Sequence, residues 1–422
     1  MIQKKEVPAS RNFCMAPWVT IHAWPNGQAF PCCAVKTQGL LEGNGMANLN
    51  EVSISEAWNS EMMKTLRKNM LEDKPTDICE KCVEFESHGS TYSLRKHLNR
   101  EFYDKYWERV TETNVDGTHD DPKFLYWDIR FNNLCNMRCR SCGPAFSSSW
   151  YDDAVKLHNH AGSPFQGLTK DFWENALPLI KQVEYAYFAG GEPLITNEHY
   201  KMLDVWLEEG NTEVRIDYTT NFSKMKLGNK HVFDYWNKFK NVNVGASLDA
   251  SYERGEYMRK GTIWKDIVQN RRDMIAECPN TKFFISPTIS IYNVLHLPDF
   301  HQEWIEEGLV DYHAINLNTL MEPDYMRIQQ LPYELKVKVE QRWLDHIDWI
   351  DNKFFKPNNK DFTKDDLYPR LHGVIKFLWA KETDVTLLTQ FINNNKRMDA
   401  IRKENFYDAF PELENLKDYE SQ

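Results

Sequence analysis

Between residues 123 and 320 short apolar runs alternate with longer amphipathic ones. "KFLYWDIRF", "QVEYAYFAG", "EVRIDYTTN", "NVNVGASLDA", "KFFISPTISIY" and "VDYHAINLN" have the length and the β-branched and aromatic content of strands. Between them, "EHYKMLDVWLEEG", "KHVFDYWNKF", "WKDIVQNRRDMIAE" and "LPDFHQEWIEEG" repeat apolar residues every three to four positions, which predicts helices. Another helix is expected from about residue 147. Strands and helices in strict alternation predict a parallel α/β sheet of six βα units. Six units suit an incomplete (β/α) barrel; the pattern alone also admits a doubly wound open sheet.

The flanks read differently. Residues 1–88 form a small irregular unit in which "WVTIHAW" and "GQAFPCC" flank Pro25-Asn26-Gly27 as a hairpin. A helix is expected over "SISEAWNSEMMKTLRKNM", with Ser53 or Ser55 as its cap, followed by a Pro-led loop, "PTDICEKC". Residues 89–122 are a linker, a helix ending in the polar stretch TETNVDGTHDDP, and residues 123–320 are the barrel region. Residues 321–422 are polar, aromatic-rich and helical, with no readable motif.

Charge and composition narrow the chemistry. A formal net charge of −11 argues against the nucleic-acid backbone as main partner. No apolar run is long enough for a membrane span and the first residues lack a signal-peptide core, so a cytoplasmic protein without a membrane partner is expected. In such a compartment the nine Cys are metal-bound or free rather than paired. The 13 His show no H-x3-H or H-E-x2-H arrangement. Eight of the Cys fall in three groups: Cys14 with Cys32 and Cys33, Cys79 with Cys82, and Cys135, Cys139 and Cys142 in "CNMRCRSC". Cys278 stands alone and reads as a buried, inert thiol.

A structural zinc site wants four ligands, often as two C-x2-C pairs, whereas the trio supplies three from one loop after the first strand. Three thiolates suit a [4Fe-4S] cluster with one iron left open, since such clusters are otherwise held by four Cys. The loop also lies where barrel active sites lie, at the C-terminal ends of strands.

C-x3-C-x2-C at this place resembles the signature of the radical S-adenosylmethionine (SAM) superfamily, and "FAGGEPL", after the second strand, matches that family's second motif. The resemblance implies a partial (β/α)6 barrel. A [4Fe-4S] cluster on Cys135, Cys139 and Cys142 would bind SAM through its open iron, and the reduced cluster would cleave SAM to methionine and a 5′-deoxyadenosyl radical. Gly190, Gly191 and Glu192 would meet the methionine amino group. Ser247 in "GASLDA" would reach the ribose, Arg259 in "YMRKGTIW" the carboxylate, and Asn221 in "TTNFS" would face the cavity. Ser141 departs from the family, which has an aromatic residue before the third Cys, so the adenine contacts are left open.

The N-terminal cysteines resemble the SPASM auxiliary-cluster domain of the same superfamily, or its shortened twitch form. The pattern is Cys14, Gly27, Cys32, a Gly-Asn segment, the helix "SISEAWNS" and Cys79-x2-Cys82. It implies a second [4Fe-4S] cluster on Cys14, Cys32, Cys79 and Cys82, with Cys33 the competitor for Cys32. The domain normally follows the barrel; here it precedes it. The resemblance spans roughly residues 11–320 and implies an oxidoreductase- or transferase-type enzyme. It further implies a peptide or protein substrate (crosslinked, epimerised or oxidised) and a reducing partner such as flavodoxin or ferredoxin. A sugar or small metabolite is the alternative substrate. A zinc-stapled binding protein and a plain iron–sulfur electron carrier are the readings from other classes.

Overall fold

The computed structural model describes residues 2–35, 47–87, 93–159, 162–355 and 362–420. The Gly43-Asn44 segment and the boundary expected at 88–89 lie outside them. In chain order the N-terminal elements are α1 (Ala16–Val19), β1 (His22–Ala23), β2 (Ala29–Phe30), α2 (Ile54–Trp58), α3 (Glu61–Leu71), α4 (Glu80–Ser87) and α5 (Leu94–Thr111). Next come β3 (Tyr126–Ile129), β4 (Arg138–Cys139), α6 (Tyr151–His158), α7 (Lys170–Ile180), β5 (Tyr185–Phe188), α8 (Asn197–Glu208) and β6 (Arg215–Thr220). A hairpin, β7 (Lys226–Leu227) with β8 (Lys230–His231), leads to α9 (Val232–Trp236), β9 (Asn241–Ala246), α10 (Tyr252–Met258), β10 (Arg259–Lys260) and α11 (Trp264–Glu277). Then follow β11 (Lys282–Ile285), β12 (Thr288–Ile289), α12 (Leu297–Glu306), β13 (Asn318–Thr319), α13 (Tyr333–Phe354), α14 (Phe362–Leu378), α15 (Val385–Arg402) and α16 (Phe406–Ala409). The chain divides into two compact units: Met1–Leu134 with Phe165–Asp217 and Lys238–Asn241, and Cys135–Pro164 with Tyr218–Asn237 and Val242–Gln422.

In the first unit the expected hairpin forms. Gly27 has φ +87°, and a Cβ there would stand 2.3 Å from Asn48 Oδ1, so only glycine closes this turn. β1 pairs antiparallel with β2 and parallel with β3, placing His22 opposite both Phe30 and Asp128. β3 pairs in parallel with β5, and the Arg215 N–H donates to the Glu184 carbonyl as β6 begins. The single helix expected after Ser53 is two. Ser53 caps α2 in a reciprocal box with Glu56, and the chain then breaks at Asn59 before α3. The fully buried Arg67 explains the break: it donates to the Trp58 carbonyl (2.8 Å), Asn59 Oδ1 (3.2 Å), the Pro17 carbonyl (3.0 Å) and the Gly117 carbonyl (3.2 Å). A guanidinium fork holding Trp58's carbonyl replaces the N–H that a continuous helix would supply. Beneath the hairpin, Phe13, Trp18, Leu66, Met70, Leu98 and Phe102 form one apolar cluster.

In the second unit β9 and β11 pair in parallel, the Ser247 N–H donates to the Thr220 carbonyl at the end of β6, and Ile285 bridges Ile315. The run "KFFISPTISIY" is split into β11 and β12 at Ser286-Pro287, because proline has no N–H for the ladder. The sixth expected strand reduces to the Ile315 bridge and β13. Neighbours follow chain order, β3–β5–β6 in the first unit and β6–β9–β11 in the second. The expected parallel α/β architecture is present, and so is the helical C-terminal region. There α13 carries an apolar stripe of Leu335, Val339, Trp343, Ile347 and Ile350.

Buried between α12 and α13, His301 Nδ1 and His346 Nε2 lie 3.0 Å apart. Burial, above all, lowers both pKa values, that of His346 to about 4 and that of His301 well below its ordinary 6.5. Unfolding frees both to take up protons, so their contribution to stability is complete above pH ~6.5 and is lost as pH falls from there toward 4. Each neutral histidine is expected to cost about 1.4 kcal/mol per pH unit in that window. Urea titrations at pH 7.0 and 5.5 test this: His346→Gln should flatten the pH dependence, and an unchanged slope would contradict it.

Candidate functional site

No disulfide joins any of the nine cysteines. In the first unit, Cys14 precedes α1, Cys32 follows β2, and Cys79 closes a short 3-10 turn at Asp77–Cys79. Cys82 lies in the first turn of α4, so "PTDICEKC" is largely helical rather than the expected loop. Its Pro75 precedes the turn, whose tight winding brings the two thiols to one side.

Cys14 and Cys82 are buried, Cys32 and Cys79 half-buried. Burial raises all four pKa values, Cys79's to about 11, and neighbouring thiols add to the rise in Cys14, Cys32 and Cys79. Cys32 stands in the field of Cys14, Cys79 and Cys82 at once. Hydrogen-bond donors are already aimed at sulfur: Ala16 N–H at Cys14 Sγ (3.4 Å), and the backbone N–H groups of Leu94 and Arg95, the first turn of α5, at Cys82. A helix N-terminus favours negative charge, so this is a thiolate-accepting environment.

Cys33 turns elsewhere. Burial of its sulfur, and then the charge of Asp128, raise the Cys33 pKa; the Asp128 carboxylate lies 3.3 Å from His22 Nδ1 and 3.0 Å from Arg130 Nη2. Burial opposes ionisation of Asp128, but Arg130 and His22 outweigh it and hold the pKa low.

The second motif is also in this unit. Gly190 has φ +127°, and a Cβ there would stand 3.2 Å from Arg130 Cδ. A Cβ on Gly191 would fall 2.2 Å from the Leu134 carbonyl oxygen. The N–H of the buried Glu192 donates to that same carbonyl at 2.7 Å, and its Oε1 accepts from Leu194 N–H at 3.0 Å. GGEP thus fixes the backbone just ahead of the trio.

The trio lies in the second unit with Asn221, Ser247 and Arg259. β4, which contains Cys139, pairs antiparallel with β10, so Cys139 faces Arg259. Arg259 Nη1 is 3.7 Å from Cys139 Sγ, while Asp249 engages its Nε (2.7 Å) and Nη2 (3.1 Å). Met137 N–H points at Cys135 Sγ (3.4 Å), and Asn221 Nδ2 lies 4.0 Å from the same sulfur. Asn221 also donates to Asn136 Oδ1 (2.9 Å), and Asn136 in turn donates to Ser223 Oγ (2.9 Å). The buried Ser247, just past β9, is tied by its backbone to Thr220. Burial raises Cys139, and burial with Cys139 lifts Cys142 to about 12. Without a cation these thiols keep their protons; a bound metal displaces them.

The loop's carbonyls are satisfied one by one. Ser149 Oγ donates to Cys135 O (2.7 Å), Ser147 Oγ to Met137 O, Arg402 to Arg138 O (2.8 Å) and Trp150 Nε1 to Cys139 O (2.8 Å). The serines and Trp150 are local and stand in "SSSW"; Arg402 has no signal in the sequence. Next to Cys142 a cavity of about 220 Å³ is lined by Ser141, Trp150, Tyr292, Tyr325, Met326 and Met398, among others. Aromatic and thioether side chains from distant segments flank the place where Ser141 leaves an aromatic residue missing. Among the described residues, no three His, Cys, Asp or Glu side chains converge at the spacing of a single metal ion. No helix among them is long and apolar enough to cross a membrane.

Residues 14–83 match the family model of SPASM, an iron-sulfur cluster-binding domain. The expectation drawn for the N-terminal cysteines and this match meet on the same segment. No curated protein matches the chain. Among solved structures, anSMEcpe with bound AdoMet is similar at 18% identity and a TM-score of 0.38, covering 53% of this chain and 56% of that one. Native anSMEcpe with bound AdoMet and Cp18Cys peptide matches at 17% and 0.37, covering 53% and 58%. Streptococcus suis SuiB bound to precursor peptide SuiA matches at 15% and 0.39, covering 77% and 71%. The chain thus spans little more than half the length of the anSMEcpe chains it resembles.

Proposed function

We propose that this chain is a radical SAM enzyme that modifies a peptide or protein. One observation carries the reading: the cysteine trio and three of the residues that the sequence resemblance singles out for the cofactor, Asn221, Ser247 and Arg259, stand in the second unit. Asn221 lies against Cys135 and Arg259 against Cys139, though they are 86 and 120 positions apart. Such convergence has no purpose in a zinc-stapled scaffold or a plain electron carrier.

The residues fit the implied groups. Three thiols outside any disulfide, with N–H and guanidinium donors at sulfur, suit an anionic thiolate set, and the N-terminal four suit a fully ligated cluster. When bound and reduced, the cluster on Cys135, Cys139 and Cys142 supplies SAM cleavage and hence a radical that takes a hydrogen atom from substrate. The protein's part is to hold and orient. Arg259 offers Nη1 to the cofactor's carboxylate while Asp249 fixes its plane. Gly190 and Gly191 keep the backbone close enough for carbonyls to receive the amino group, and Ser247 stands for the ribose. The cavity of about 220 Å³ beside Cys142 takes the base, with Tyr292 and Tyr325 standing in for the absent aromatic residue. Cys14, Cys32, Cys79 and Cys82 would hold the auxiliary cluster with four thiolates, and it would supply electron transfer with a partner of the flavodoxin or ferredoxin type. The peptide class follows from the SPASM-type domain, whose relatives commonly act on peptides.

The test is direct. Protein reconstituted with iron and sulfide without oxygen, then reduced with dithionite and given SAM, should hold about eight irons and release 5′-deoxyadenosine. Iron without any deoxyadenosine would leave the electron carrier standing, and no iron would leave the scaffold.

Gly191→Ala is expected to weaken SAM binding about tenfold or more, because its Cβ would meet backbone at 2.2 Å, where no side chain can yield. Equilibrium dialysis of the reconstituted variant measures this. Wild-type affinity would show that GGEP is not at the cofactor.

A further inference from the structure

The C-terminal region has no counterpart in the resemblance, yet it reaches the cluster loop through Arg140, which stands between Cys139 and Cys142. Arg140 is buried at 5% exposure. Its Nη1 donates to Asn395 Oδ1 (3.1 Å), and its Nη2 donates to the carboxylates of Asp399 and of Glu404 (2.7 Å). The guanidinium lies 3.6 Å from the centre of the Tyr257 ring, and the Tyr257 hydroxyl donates to the same Asp399 oxygen (2.8 Å). The backbone N–H of Arg140 donates to the Met258 carbonyl (2.8 Å), just before Arg259. A second tie runs one residue pair earlier. Arg402, at the end of α15, donates to Arg138's carbonyl and to Asp153 Oδ2 (2.8 Å), and Asp153 Oδ1 accepts from Arg138 Nη1 (2.9 Å).

We infer that α15 and the segment after it are a positioning device for the catalytic cluster, with Arg140 its central positioning residue; this rests on the trio being that cluster. The physical reason is the cost of burying charge. A buried guanidinium shared between two carboxylates, an amide oxygen and a ring has few low-energy arrangements, so its backbone cannot shift without stranding charge. Cys139 and Cys142, on either side, inherit that rigidity, and through β4 and β10 so does the approach of Arg259 to Cys139. Local hydrogen bonds from residues 147–150 hold the loop's shape. The C-terminal contacts hold its place against α10 and β10.

Arg140→Ala, Arg140→Lys and Asp399→Ala in the full, reconstituted chain test this, with electron paramagnetic resonance of the reduced clusters recorded with and without SAM. The alanine variants should keep the auxiliary-cluster signal and the thermal midpoint of the first unit's unfolding. Their SAM-induced change in the catalytic-cluster signal should be lost or split into several forms, with deoxyadenosine formation down at least tenfold. Arg140→Lys should recover part of the single signal, because it restores the charge without the fork. A wild-type SAM-induced change in Arg140→Ala and Asp399→Ala would overturn the inference. So would loss of both cluster signals together without rescue by lysine, which would mark a general folding role. If the wild-type protein itself shows no SAM-induced change, the functional reading fails first.

Discussion

Replacing Cys135, Cys139 and Cys142 together by alanine is expected to abolish 5′-deoxyadenosine formation, a fall of at least about a thousandfold, and to remove about half of the bound iron. The size of the effect follows from ligand chemistry. Among the described residues no group of three His, Cys, Asp or Glu side chains stands ready at metal-ligand spacing to take over. The fold should survive. The three thiols are only half-buried, and the loop's carbonyls are bonded to Ser147, Ser149, Trp150 and Arg402 rather than to sulfur. Circular dichroism should therefore be unchanged, and the N-terminal cluster should remain visible. Deoxyadenosine formed at the wild-type rate would sink the assignment of the trio.

Cys79→Ala/Cys82→Ala is expected to remove the other half of the iron while SAM cleavage without substrate persists. The two sites use separate thiols held in different compact units, so losing one set leaves the ligands of the other in place. Turnover of a peptide substrate should fall steeply, since the role proposed for the auxiliary cluster is electron transfer. Stability should fall too. Cys14, Cys32 and Cys79 pack with the Phe13, Trp18 and Met70 cluster, and binding a metal there would contribute directly to folding. Single variants resolve the adjacent pair. Cys32→Ser should behave like the double variant, because Cys14, Cys79 and Cys82 all act on Cys32. Cys33→Ser should keep all the iron, since Asp128 is its main charged neighbour. Iron content by acid-labile sulfide and iron assay decides between them, and the reverse pattern would make Cys33 the ligand.

Much of this architecture could be read along the chain. The alternation of strand and helix periods gave the parallel α/β order, and Ser53, Gly27 and the β9 and α11 segments adopt the conformations their residues favour. Legibility failed where a distant group overrode a local pattern. The helix after Ser53 breaks because Arg67, with its partners scattered from Pro17 to Gly117, claims Trp58's carbonyl. The sixth strand dwindled to the Ile315 bridge and the two-residue β13 although its apolar pattern was as good as its neighbours'. β1 lies beside β3, a pairing that joins segments more than 100 positions apart and that no short-range periodicity can encode.

What the sequence determined by itself is the chemistry. Cysteine spacing is a local property, so C-x3-C-x2-C and C-x2-C declare thiolate ligation before any fold is known, and GGEP declares a close backbone approach. What only the tertiary structure decided is how those thiols are held. That Cys32 and Cys33 have different charged neighbours, that Asp249 engages Arg259, and that Asp399 and Glu404 hold Arg140 while Arg402 holds the Arg138 carbonyl all depend on contacts between side chains far apart in the chain. The energy of a buried charge or a mutually perturbed thiol depends on what surrounds it in space, and the order of residues along the chain does not carry that information.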